Sequence, residues 1–368
     1  MKDGPLAHIL ATYAPEDIFN ADETGLFYKM EPSSSYVLKG ETCTGGKRSK
    51  ERVTVLPCAN MSGTEKLPLL VIGKFAKPRC FTGMNMSRLP TQYKDQKRAW
   101  MDGELFTAWL KKLDAKMTIR KRSIALIIDN CRAHPQVQGL KSIKIIFLPP
   151  NTTSCTQPMD QGIIQNLKVH YRHLLVKRGL LPAVEKKVPF QWTMLDTLSA
   201  LKDAWIKVKP ATIANCFHHC GFIKPDQAPA TVDDGNDDPE DDLPLSVLAA
   251  NLKAAGVEAN VEEFVQADDN LATSAAASDE AIIEEVQKKK DVPVEDEDED
   301  EDDGPQQPQH TYAQAMESLA ILRRFMVTLP SLPSHDSHWQ TLAQMETDFD
   351  RGHHNSLKQA SITSFFKQ

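Results

Sequence analysis

The chain has 368 residues, enough for one large core or two smaller domains, and 41% hydrophobic with 25% charged residues is typical of a water-soluble protein. No window approaches 18 uninterrupted apolar residues and the N-terminus lacks a signal-peptide pattern, so we expect an intracellular protein with no membrane partner. The seven cysteines are scattered and odd in number, which favours reduced thiols over a disulfide framework.

Charge divides the chain into two parts. Residues 1–228 hold 34 Lys and Arg against 19 Asp and Glu, whereas the remaining residues hold 9 against 31. A basic globular part is expected of a protein that binds the phosphate backbone of nucleic acid. The acidic, low-complexity part is more typical of a solvated tail or an interaction segment.

The predicted elements of the basic part begin in the order β-β-β-α-β-β. Strand patterns cover residues 17–30, 52–63 and 67–75, with a hairpin turn near Ser62-Gly63, and predict an antiparallel meander. A helix follows over 102–117 with Asp102 as its N-cap, and then come apolar strands at 124–128 and 143–148. Three helices complete the pattern, over 159–179 with Gly179 as a C-cap, over 194–208 and over 212–222.

Three aspartates stand in distinctive settings. In "SIALIIDNCRAH" five apolar residues are followed directly by Asp129. A carboxylate at the end of a buried apolar strand loses hydration free energy unless it is paired or binds a metal. A turn-forming Asp is the alternative interpretation. Asp22 lies in "NADETG" and Asp160 begins the long helix in "QPMDQG". In a ribonuclease H-like sheet these acids could meet at one edge, where two divalent cations could drive an in-line phosphoryl transfer.

The stretches "NADETGLF", "IIDNCRAH", "IIFLPPNTTSCTQPMDQGIIQNLKVHYR" and "TIANCFHHCGF" together resemble the DDE-type transposase domain of the pogo/Tigger group, to which centromere protein B is related. The resemblance covers residues 10–225. It implies a ribonuclease H-like α/β fold, a triad of Asp22, Asp129 and Asp160 that binds Mg²⁺ or Mn²⁺, DNA strand cleavage and transfer, and a nuclear location. A catalytically silent DNA- or chromatin-binding scaffold is the alternative.

In proteins of this group, helix-turn-helix units precede the nuclease domain, whereas this chain starts about 20 residues before Asp22. We therefore expect that the N-terminal DNA-reading region is missing, either from the protein itself or through a truncated gene model.

Two further groups of residues are candidates for supporting roles. Asn130 and His134 could orient Asp129 or touch substrate phosphate, and a structural network at the strand end is the alternative. The loop "TGGKRSKERV" carries basic side chains that could grip DNA phosphates, although a solvated loop would look the same. These phosphate-contact candidates are Lys47, Arg48, Lys50 and Arg52.

We expect the nuclease domain to span residues 1–228, followed by an acidic low-complexity linker with short helical segments at 229–310. Residues 311–350 contain an amphipathic helix that could mediate homo-oligomer formation. The tail 351–368 ends in "QASITSFF", which resembles the motif that binds the sliding clamp, proliferating cell nuclear antigen. A one-turn helix there would present an apolar plug beside a polar glutamine, formed by Gln359, Ile362, Phe365 and Phe366.

Overall fold

The structure, a computed structural model, describes residues 5–32, 51–149, 156–223, 261–269 and 271–274, together with short helical stretches between 312 and 349. The chain forms two compact units, Met1–Pro305 and Gln306–Gln368. In the second unit, Leu319 and Leu342 are buried in one small apolar cluster. Within the described parts of the chain, no helix has the length and apolarity that a membrane crossing requires.

The first unit contains all the strands described. They are β1 (Ile18–Ala21), β2 (Thr24–Phe27), β3 (Arg52–Leu56), β4 (Cys58–Asn60), β5 (Leu70–Gly73), β6 (Gln92–Asp95), β7 (Ile124–Ile128) and β8 (Ile143–Phe147). Its helices are α1 (Pro5–Thr12), α2 (Gly103–Ile119), α3 (Ile164–Leu175), α4 (Leu181–Lys186), α5 (Met194–Lys207), α6 (Pro210–His219) and α7 (Val261–Gln266). A π-helical turn, Met159–Ile163, leads into α3.

The strands lie in two sheets, ordered β4-β1-β7-β8 and β2-β3-β5-β6. The antiparallel pairs Ala21–Cys58 and Thr24–Val55 belong to one continuous register, so Asp22 lies opposite Pro57. Proline has no N–H to donate, and the ladder of hydrogen bonds is interrupted there. The two sheets therefore share one register, and the regular pairing is broken at Asp22 and Pro57.

Parallel pairing of β1 with β7 and of β7 with β8 makes the sheet mixed. Neighbouring residues of a strand point to opposite faces, and Ile18 and Phe19 accordingly enter different cores. Phe19 packs with Phe106 and Leu110 of α2, whereas the core that contains Ile18 is completed by α3, α5 and α6. This mixed sheet with helices on both faces is the ribonuclease H-like α/β fold.

Several predicted elements are confirmed closely. The strand at 124–128 is β7, and Asp102 caps α2 by accepting hydrogen bonds from the backbone N–H groups of Glu104 and Leu105. The C-cap predicted at Gly179 is wrong, because the helical path continues through a second π-helical turn, Val176–Leu180, into α4. Gly179 is needed for packing instead, since a Cβ atom there would lie 2.8 Å from the rings of Phe190 and Trp192.

Candidate metal centre

The backbone brings two of the three aspartates to the same edge of the sheet. Asp22 directly follows β1 and Asp129 directly follows β7. These strands are parallel neighbours with Asn20 paired to Ile127, so both acids emerge where the buried strands end. Asp160 lies in the π-helical turn before α3 and is exposed.

The side chains of Asp22 and Asp160 form a hydrogen bond with each other. Burial raises the pKa of Asp22 well above its ordinary value, and the charges of Asp160, Glu23 and Asp129 raise it further. Burial and the charge of Asp129 also raise the pKa of Asp160, although the hydrogen bond from Asp22 opposes that shift. Burial and mutual repulsion therefore both disfavour the charged forms of these two acids.

His134 is buried between two carboxylates. Its Nε2 lies 3.0 Å from Glu23 Oε1, and its Nδ1 lies 2.6 Å from Asp129 Oδ1. Burial by itself lowers the pKa of His134, but hydrogen bonds to Asp129, Cys131 and Glu23 outweigh burial, so the net shift is strongly upward. The ring also packs on Phe106, with 4.4 Å between ring centroids. His134 therefore fixes the orientation of Asp129, while Asn130 is exposed.

Asp129, Cys131 and His134 place one ligand atom each within 4.8 Å of one another. A metal bound to His134 would need a free ring nitrogen, yet both nitrogens face carboxylates. We therefore interpret these three residues as a hydrogen-bonded network that supports Asp129.

Asn20 and Glu23 are two polar residues that the sequence reasoning missed. The fully buried Asn20 side chain donates from Nδ2 to the Ile127 carbonyl at 3.1 Å and accepts at Oδ1 from the Met159 N–H at 2.8 Å. It thereby joins β1, β7 and the turn that carries Asp160. The sequence did offer one sign of this role, because Asn20 interrupts a run of apolar residues two places before Asp22.

The turn at Asp160 is held by its own backbone. The N–H groups of Asp160 and Gln161 donate to the carbonyls of Gln157 and Pro158, both at 3.1 Å. Gly162 has φ 127° and ψ −12°, a conformation that L-residues rarely adopt. π-Helical turns of this kind are frequent at functional sites. The glycine thus allows the chain to turn sharply between Asp160 and α3.

The donor set fits a hard divalent cation. Asp22, Asp129 and Asp160 offer only oxygen ligands, which Mg²⁺ and Mn²⁺ prefer. Burial and the neighbouring carboxylates raise the pKa values of Asp22 and Asp160, and a cation bound between them would offset that repulsion. These three residues could hold the metal, and His134 would support Asp129 through its Nδ1.

The other predicted site residues fall mostly outside this region. Lys47, Arg48 and Lys50 lie outside the described residues, as do Gln359, Ile362, Phe365 and Phe366. The guanidinium of Arg52 donates to the carbonyl of Ala272 and to Thr54 Oγ1. Arg52 is thus engaged within the protein in this structure.

The chain is similar to several known proteins. Residues 50–217 match the family described as DDE superfamily endonuclease. The chain is 39% identical to Tigger transposable element-derived protein 4 of Mus musculus over 276 residues, which are 74% of this chain and 52% of that protein. It is 33% identical to major centromere autoantigen B of Homo sapiens over 216 residues, 57% of this chain and 34% of that protein.

The chain therefore spans about half the length of the Tigger relative and about a third of the centromere relative. A solved structure, the crystal structure of the Mos1 strand transfer complex, aligns at 13% identity with a TM-score of 0.32, covering 58% of this chain and 54% of that one. That likeness is too distant to carry an argument. Residues 50–217 thus carry a DDE superfamily endonuclease domain, and the chain is similar to a Tigger transposable element-derived protein and to major centromere autoantigen B.

Proposed function

We propose that this protein binds DNA and cleaves and joins its strands with divalent metal ions held by Asp22, Asp129 and Asp160. The observation that supports the proposal is that Asp22 and Asp129 follow neighbouring parallel strands, and that the charges of Asp160 and Asp129 are near enough to raise the pKa of Asp22. An exposed acid cluster alone would be weak support. Here a buried Asn20 and a buried His134 also hold the elements that carry the acids.

The metal ions would activate a water or a 3′-hydroxyl and stabilise the leaving oxygen. The protein's own residues prepare the site for this chemistry. Asp22, Asp129 and Asp160 would supply carboxylate oxygens to the metal, and His134, whose Nδ1 lies 2.6 Å from Asp129 Oδ1, would hold the Asp129 side chain in place. Asn20 keeps β1, β7 and the turn of Asp160 in register.

Basic side chains would hold the DNA backbone. Lys47, Arg48 and Lys50 remain candidates from the sequence. A second basic surface lies on the connection from β5 to β6 and on β6 itself, where Lys77, Arg88 and Lys94 are exposed. Both surfaces offer sequence-independent contacts to phosphate.

A thermal melt with Mn²⁺ tests the metal site. Mn²⁺ at a hundredfold excess over its Kd should stabilise the wild type by about 2.7 kcal/mol, or roughly 5–10 °C in Tm. Asp129→Asn should lose this gain. The matched control, Asp95→Asn, removes an exposed carboxylate from β6 and should keep it. Equal Mn²⁺ responses in wild type and Asp129→Asn would contradict the proposed site.

A second candidate function is a catalytically silent scaffold bound to DNA or chromatin, supported by the similarity to major centromere autoantigen B. Nicking of supercoiled plasmid in Mn²⁺ separates the two. The catalytic proposal requires nicking by the wild type and its loss in Asp129→Asn, whereas the scaffold binds the plasmid and leaves it intact.

We further propose a nuclear location and a sliding-clamp partner for the tail. The support is the sequence motif of Gln359, Ile362, Phe365 and Phe366 alone. Calorimetry with purified proliferating cell nuclear antigen should detect binding that the double variant Phe365→Ala/Phe366→Ala loses and Ser364→Ala keeps. Equal heats for all three proteins would reject the motif. We also propose self-association through residues 311–350.

A further inference from the structure

A segment from the acidic part of the sequence packs into the nuclease domain. This returning segment, residues 261–269 and 271–274, includes α7 and is separated from α6 by more than forty residues. Phe264 and Val265 are only 2% exposed and belong to the same core as α3 and α5. The segment is therefore built into the domain, within what the composition predicts as a linker.

Asp268 connects the returning segment to two elements of the domain. Its carboxylate accepts a hydrogen bond from the Phe27 N–H at 2.8 Å and forms an ion pair with Arg172 of α3. Arg172 in turn donates to the Phe27 carbonyl at 2.8 Å. Both charged side chains are fully buried, and removal of either would leave an uncompensated charge in the core.

These contacts close an otherwise open edge of the sheet. β2 is the outermost strand of its sheet, and Phe27 presents its backbone groups on that edge. Leu271 covers β2 at Gly25, where an added Cβ atom would lie 2.5 Å from the Leu271 Cβ. Further along, the Met101 N–H donates to the Thr273 carbonyl at 2.8 Å. The returning segment thus joins α3 to the strand that follows Asp22.

Helix α3 also follows directly after the turn that carries Asp160 of the candidate metal centre. Asp160 lies in the π-helical turn that leads into α3, and Lys168 of α3 pairs with Asp269 at 2.9 Å. A cavity of about 360 Å³ is lined by Glu23, Asp160 and Ile164 and also by Gln266, Leu271 and Thr273 of the returning segment. The returning segment is therefore part of the wall of a cavity that Asp160 also lines.

We infer that the returning segment positions a residue of the metal centre, because it holds α3 against β2 and thereby fixes Asp160. Asp268 is the positioning residue. The nuclease domain accordingly extends to at least residue 274. The inference rests on the proposed metal site for its effect on cation binding, whereas its effect on α3 is independent of that site.

The test compares full-length Asp268→Asn with Asp269→Asn. Both variants lose one carboxylate from adjacent positions, but the Asp269 side chain is 55% exposed whereas the Asp268 side chain is fully buried. In Asp268→Asn, hydrogen exchange should rise in α3 and β2, and the Kd for Mn²⁺ should rise about tenfold or more. Asp269→Asn, which keeps the buried Asp268–Arg172 pair, should change both measurements less than Asp268→Asn, and Asp268→Glu should recover part of the Mn²⁺ affinity.

Unchanged exchange and unchanged Mn²⁺ affinity in Asp268→Asn would overturn the inference. Faster exchange with unchanged Mn²⁺ affinity would also overturn it, since the segment would then support only the fold. If the wild type does not respond to Mn²⁺, the proposed function fails, and the exchange data alone decide whether the segment holds α3. If Asp268→Asn does not fold, Leu271→Ala, which keeps the Arg172–Asp268 pair, should change both measurements in the same direction.

Discussion

Asn20 is the single residue on which the alignment of the three acid-bearing elements most depends. Replacing it with alanine leaves the Ile127 carbonyl and the Met159 N–H without their buried partner. We expect Asn20→Ala to lower the free energy of unfolding by about 2–4 kcal/mol. We also expect it to weaken Mn²⁺ binding although Asn20 is not a ligand. Denaturant unfolding and Mn²⁺ titration measure the two effects.

Asn60 supplies the control for this prediction. It is also buried, and its side chain bonds to the Glu16 carbonyl and the Glu65 N–H, within another part of the sheet. Asn60→Ala should lose comparable stability and retain the Mn²⁺ affinity of the wild type. A similar loss of affinity in both variants would show that the effect is one of general destabilisation.

Glu65 gives a prediction for acid stability. Burial raises its pKa, but hydrogen bonds and charge from Arg122 and Arg120 outweigh burial, and the net shift is downward. A carboxyl group whose pKa is lower in the folded state stabilises the protein above its unfolded pKa of about 4.3, and this contribution is lost as the pH falls through the folded pKa. The stability difference between wild type and Glu65→Gln should therefore shrink as the pH falls from 6 to 3. Thermal melts across that range would reject the prediction if the difference stayed constant.

At the scale of elements, the π-helical turn at Asp160 depends on the backbone of Gly162. A Cβ atom there would have space, with Cys216 Sγ 3.7 Å away, so the penalty for alanine comes from its φ of 127°. Gly162→Ala should destabilise the protein by about 1–3 kcal/mol and should weaken Mn²⁺ binding by shifting Asp160. Unfolding and Mn²⁺ titration measure both.

Gly139 is the matched control for this backbone effect. It also has a positive φ of 82°, and a Cβ atom there would meet nothing within 4 Å. Gly139→Ala should share the loss of stability and leave Mn²⁺ binding unchanged. Wild-type Mn²⁺ affinity in Gly162→Ala would show that the turn tolerates alanine without moving Asp160.

Elements with a strong local pattern were predictable, and the others were not. The apolar run of β7 and the capped, periodic sequence of α2 can be recognised as a strand and a helix from the sequence alone. β6 has the polar sequence Gln-Tyr-Lys-Asp and becomes a strand because its backbone pairs with β5. Gly179 looks like a helix stop because its true role, the close approach of Trp192, depends on a residue thirteen places away.

At the scale of the whole molecule, the basic charge of residues 1–228 predicts salt-dependent DNA binding. The logarithm of the binding constant should fall linearly with the logarithm of salt concentration, because phosphate contacts release counterions. Each contact removed from the surface of Lys77, Arg88 and Lys94 should reduce the slope by about 1. Fluorescence anisotropy with a generic duplex measures the slope.

Lys202 provides a control on α5, where it is exposed. Lys202→Ala should leave the salt slope unchanged, whereas Lys77→Ala should lower it. Equal salt slopes for Lys77→Ala and the wild type would show that the connection between β5 and β6 does not contact DNA through Lys77.

The sequence by itself determined the basic and acidic parts and the local settings of Asp22, Asp129 and Asp160, because charge, periodicity and short motifs are local properties, and its resemblance to the pogo/Tigger group implied the fold class. Only the tertiary structure decided that Asn20 joins three elements, that Glu23 pairs with His134, and that Asp268 pairs with Arg172. Asp268 and Arg172 lie 96 residues apart in the sequence. Because its surrounding sequence is strongly acidic, Asp268 looks like a solvated residue. Only the fold shows that the buried guanidinium of Arg172 lies beside it.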